Sequence, residues 1–96
     1  MINAGTHVEG TNSVIGFIEI DGTPDFPSKK EISVAGSEIF MTETVAPIAA
    51  GEHTVLFKAF SNTDATAYED TTLSALFVPF DGSGASPSLA AISAAQ

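Results

Sequence analysis

Two runs in the second half of the chain carry apolar residues at odd and even positions alike: residues 50–60 (AGEHTVLFKAF) and 73–80 (LSALFVPF). A strand with one wet face shows apolar residues on one parity only. Apolar residues on both parities predict strands that bury one face in their own core and the other against a second subunit or surface. The parities sort accordingly. Val55, Phe57, Ala75 and Phe77 are expected to face the core, and Leu56, Phe60, Leu76, Val78 and Phe80 to form a subunit interface.

The rest of the body follows the same β-rich style, with Val, Ile, Thr and Phe in short runs punctuated by Gly, Asp, Asn and Pro. A short strand is expected at 6–9 and a stronger one at 13–20. The second ends at Asp21-Gly22-Thr23-Pro24, a turn in which Gly22 takes positive φ at no steric cost. Pro24 and Pro27 flank Phe26 and are expected to keep that stretch out of regular pairing. A short strand is expected at 30–34. Another at 38–45 alternates, with Ile39, Met41, Glu43 and Val45 on one face and Phe40, Thr42 and Thr44 on the other. The polar link 61–70 has room for a short strand near 65–68, and the last strand spans 71–80.

Past Phe80 the composition changes to Gly, Ser and Ala. This divides the chain into a β-domain, 1–80, and a flexible C-terminal arm, 81–96. Leu89 and Ile92, three apart, signal one or two helical turns within 88–96. A piece that short is not stably helical alone and needs a neighbour.

Charge removes several partner classes. Twelve acidic residues against three lysines give a formal net charge of −9, which repels phosphate backbones and anionic lipid. Neither nucleic acid nor membrane is therefore expected as a partner. No segment is apolar and long enough to span a bilayer, and Met1 does not open a basic then apolar leader, so synthesis in the cytoplasm is expected. At 96 residues with no cysteine, the chain lies near the lower limit for a self-sufficient core and has no disulfide to help it. Oligomerisation is the remaining aid.

Candidate chemistry is sparse. His53 shares its parity with Val55 and Phe57, and the only other histidine, His7, is remote in sequence. His53 is expected to be a neutral structural residue at the edge of the core, donating to a turn carbonyl. Asp21, Asp25, Glu69 and Asp70 lack the patterned loop of a calcium site. There is no G-x-S-x-G elbow, no phosphate loop and no cysteine nucleophile. No catalytic residue, metal ligand or cofactor is assigned, and the chain is expected not to be an enzyme.

One resemblance adds to this. Residues 48–57 (IAAGEHTVLF), followed by a polar link and Leu73–Phe80 ending in Pro79-Phe80, resemble the closing strands of jelly-roll modules related to tumour necrosis factor and the complement globular head. Phe17-Ile18-Glu19-Ile20-Asp21-Gly22 is similar to the strand and turn that precede them, so the resemblance covers roughly 14–80. It implies a small jelly-roll-like antiparallel β-sandwich, incomplete alone because such modules carry more strands, and completed in a homotrimer. It further implies a virion structural protein, foremost a capsid decoration (cement) protein whose partner is a major capsid protein or another virion protein. The alternatives are a phage fibre or spike tip, or a β-sandwich that binds carbohydrate or a receptor. The single tyrosine and absent tryptophan speak against a sugar platform.

Overall fold

The computed structural model describes residues 1–63, 66–77 and 87–95, the last of these as backbone alone. The chain is all-β, with strands β1 (Ile2–Ile20), β2 (Thr23–Thr44), β3 (Gly51–Ser61), β4 (Ala67–Ala75) and β5 (Pro87–Ala95). β1 and β2 form one long antiparallel hairpin, from Ile20↔Thr23 at the turn to Ile2↔Thr44 at the far end. The other edge of β1 is shared: its first half pairs with β4 and its second half with β3, both antiparallel.

This hairpin folds back on itself, which makes one sheet into two layers. The first layer is β4, the first half of β1 and the second half of β2. The second layer is β3, the second half of β1 and the first half of β2. The fold-over lies where Gly10 (φ 138°) stands opposite Gly36 (φ 101°), two positive-φ positions where side chains other than glycine are strained. Even-numbered residues of β1 point inward on both sides of it. Ile2, Ala4 and Val8 therefore meet Val14 and Ile18, joined by Val34, Phe40, Val55, Phe57 and Ala59 in one core.

Phe40 is the link between layers. Its ring stacks on Phe57 of the opposite layer with centroids 5.9 Å apart. It also occupies the space left by the missing side chain of Gly16, where a Cβ would lie 2.6 Å from the ring. A glycine inside a strand marks such close approaches.

Of the two faces of 38–45, that of Phe40, Thr42 and Thr44 is the inner one. Phe40, Thr42 and Thr44 are buried, whereas Ile39, Met41 and Val45 are exposed. The hydroxyls are tolerated inside because they are hydrogen-bonded. Thr42 Oγ1 donates to the Ser28 carbonyl of the other layer. Thr6 Oγ1 donates to the Glu69 carbonyl (3.2 Å) and lies 2.9 Å from Thr71 Oγ1.

Four expectations are corrected. The strands placed at 6–9 and 13–20 are a single strand, and so are those placed at 30–34 and 38–45, because Gly10, Thr11 and Asn12 stay in register with Gly36, Ala35 and Val34. Pro24 is paired, opposite Glu19, and the proline is accommodated because, among the described residues, β2 is an edge strand whose outer N–H groups have no ladder to serve. The irregular part is only 26–29, a bulge opposite Phe17. Ser28 secures it by accepting from the Ile18 N–H (2.8 Å) and donating to the Asp25 carbonyl (2.6 Å). The last strand of the body ends at Ala75 rather than Phe80. Finally, Pro87–Ala95 is not helical: it is β5, added parallel to β3 from Gly51↔Pro87 to Lys58↔Ala95. The open edge of β3 supplies backbone partners that a helix nucleus of this length lacks.

Candidate interaction faces

The Asp21-Gly22 turn is a two-residue connection with positive φ at both positions (51° and 82°), which matches the twist of the flanking strands. It also fixes β3. The Asp21 carboxylate accepts from the Thr54 N–H at 2.9 Å and from His53 Nδ1–H at 2.6 Å, while the Asp21 N–H donates to the Thr54 carbonyl at 2.8 Å. His53 Nε2–H donates to the Ala49 carbonyl at 2.6 Å. The turn carbonyl expected for His53 is thus Ala49.

The expected neutral state does not fit. Both ring nitrogens face acceptors, and only the imidazolium donates from both. The hydrogen bond to Asp21, then that to Ala49, raises the His53 pKa above its ordinary value. The hydrogen bonds from His53 and Thr54 lower that of Asp21. The imidazolium contribution is full below the unfolded-chain value of about 6.5 and is lost as pH rises through the raised folded value. The carboxylate contribution is present above about 3.9 and is lost as pH falls through the lowered one. The clamp is therefore strongest in mildly acidic solution. Thermal unfolding midpoints should fall from pH 6 to pH 9 (roughly the window in which a raised histidine titrates) more steeply in the wild type than in H53Q. Parallel profiles would remove His53 from the pH dependence.

The expected interface residues occupy two different faces. Leu56 and Phe60 lie on the outside of the second layer, Leu56 half-buried and Phe60 52% exposed. Leu76 is 63% exposed at the end of the first layer, where its N–H and carbonyl pair with Met1 (2.7 and 2.6 Å). Register places Met1, Val45 and Leu76 in one outward row, away from Phe60. Val78 and Phe80 lie outside the described residues. On the core side, Val55 and Phe57 are buried, Ala75 packs against the core and Phe77 is half-buried.

The outer patch of the second layer has a member that strand parity in β3 alone did not reveal. Phe17 of β1 stacks on Phe60 with centroids 6.0 Å apart. Ile15, directly opposite Phe60, and Leu56 extend the patch. Lys58 and Glu19 edge it with an ion pair at 3.0 Å. The signal for Phe17 was present in the alternation of 13–20, whose odd positions carry Ile15 and Phe17.

No family model, curated protein or solved structure matches the chain. What the faces can do is therefore argued from their own chemistry.

The outer face of the first layer is different in character. An open groove of 980 Å³ runs over it, lined by residues that include Asn3, His7, Ile39, Met41, Thr72 and Ser74. Beside the groove, which His7 lines, His7, Glu9 and Glu69 converge, with potential ligand atoms all within 4.8 Å of one another. His7 and Glu69 are register partners on β1 and β4, a proximity that sequence separation hid. Tyr68, the one tyrosine, is half-buried against the core, so it offers no exposed ring for sugar stacking.

Proposed function

We propose that the protein is a non-enzymatic structural component of a virion, a homotrimeric decoration protein that stabilises a capsid shell. The observation that carries assembly is the aromatic patch of Phe17 and Phe60, bordered by Ile15 and Leu56. Phe60 is exposed and the other three are half-buried beside it, and large contiguous apolar patches are rare on soluble monomers. A second feature supports pairing between copies. Among the described residues no strand covers the outer edge of β2, and its 37–44 half carries neither the proline nor the lysine that blocks strand addition. The trimer order and the virion role rest on the resemblance of residues 14–80 to jelly-roll modules. The fibre-tip and carbohydrate-binding readings lack a matching feature, since the single tyrosine is turned to the core.

Mechanically, such a subunit works by burying apolar side chains, each worth ~1.5–3 kcal/mol, against a neighbour. F60S combined with F17S is expected to raise the midpoint concentration for trimer dissociation by roughly tenfold or more. Analytical ultracentrifugation measures this, with circular dichroism confirming the fold. An unchanged midpoint would exclude this patch as the interface. Co-sedimentation with shells of the virus encoding the chain tests the decoration role, and glycan-array binding without shell binding would replace it with the sugar-binding alternative.

A further inference from the structure

We propose that His7, Glu9 and Glu69 form a binding site for a divalent transition-metal ion of the zinc class on the outer face of the first layer. Spacing along the chain does not assign a metal, because the third ligand arrives only through β1–β4 pairing. His7 and Glu9 are two apart on β1 and project from the same face, and Glu69 stands opposite His7 on β4. Two of the three ligands thus sit on a strand held by ladders on both edges.

The distances fit ligands of a shared ion better than direct partners. His7 Nδ1 is 3.9 Å from Glu69 Oε2, beyond hydrogen-bond range. Donors at about 2.0–2.2 Å from one ion lie up to about 4.4 Å apart, so the trio within 4.8 Å needs only small side-chain rotations to close. Both glutamates are exposed and free to make them.

The orientation of the imidazole is already set. His7 Nε2 is 2.5 Å from Ser37 Oγ on β2. With Nε2–H donating to that hydroxyl, the Nδ1 lone pair is left to face the two carboxylates. This is the outer-shell arrangement that fixes the tautomer of metal-bound histidines.

Charge and access point the same way. Two carboxylates stand together, and among the described residues no lysine pairs with either, so a dication relieves their mutual repulsion. The adjoining groove, which His7 lines, leaves the remaining coordination positions open to water or a further ligand. One imidazole with two carboxylates selects zinc, manganese or iron over calcium and magnesium, which take oxygen donors alone.

Isothermal titration calorimetry of Zn²⁺ into the full chain, stripped with EDTA and desalted, tests this. One ion per chain is expected. H7Q and E69Q should each weaken binding by about tenfold or more, and H53Q should leave it unchanged. E9Q provides a third variant if H7Q fails to fold by circular dichroism. Mg²⁺ should not compete. Absence of saturable Zn²⁺ binding, or binding that the folded His7, Glu9 and Glu69 variants retain, would overturn the site.

Discussion

Phe40→Ala is expected to destabilise the protein by about 3–5 kcal/mol, the range for removing a fully buried aromatic ring from a core. Phe40 has no exposed surface and touches both layers: it extends from β2 in the first, stacks on Phe57 and fills the space above Gly16 in the second. The loss should sit near the top of that range, because the cavity would lie between two hydrogen-bonded layers that have little freedom to collapse. Native domains are stable by about 5–15 kcal/mol, and a chain of 96 residues has a modest core, so the variant is expected to be partly unfolded at room temperature. Urea unfolding followed by circular dichroism measures it. A cost below about 1 kcal/mol would mean that the ring does not join the layers.

The complementary substitution is Gly16→Val. An ideal Cβ at Gly16 lies 2.6 Å from two carbons of the Phe40 ring and 3.3 Å from the Lys58 carbonyl, so it is opposed on one side by the core and on another by backbone. Overpacking of this sort costs typically 1–3 kcal/mol, and a branched side chain in so tight a place belongs at the upper end. G16A should show the same effect at smaller size. Because the obstacle is a side chain, shrinking it should help: G16A with F40L is expected to be more stable than the sum of the two single losses. Additive losses in that double mutant would show that Gly16 is required for a backbone reason and not for the ring.

These two residues show what the sequence could and could not convey. The Asp21-Gly22 turn was legible because its chemistry is local, and so was the inward parity of Val55 and Phe57. The contact between Phe40 and Gly16 was not, since it depends on a hairpin folding over at Gly10 and Gly36. Turn-forming residues at 10–12 suggested a break where the chain keeps its register. Which face of 38–45 turns inward was not legible either, because the partners that satisfy its threonine hydroxyls, such as the Ser28 carbonyl, come from the opposite layer. β5 was hidden for a related reason: an Ala/Ser-rich segment has weak preferences of its own, and the edge of β3 decides its conformation.

The faces were legible in the same uneven way. Apolar residues on both parities of β3 located the outer patch, but the layer to which Leu76 belongs follows from β4 pairing with the start of β1. The trio of His7, Glu9 and Glu69 likewise exists only once those strands are paired. Glu69 joins His7 and Glu9 through its register with His7, not through nearness in sequence.

Assembly is the central claim, and light scattering coupled to size-exclusion chromatography tests it most directly. At micromolar concentration the wild-type chain is expected to elute as a single species of about 30 kDa, three times its 9.9 kDa mass. A stable species of 9.9 kDa at that concentration would contradict the account.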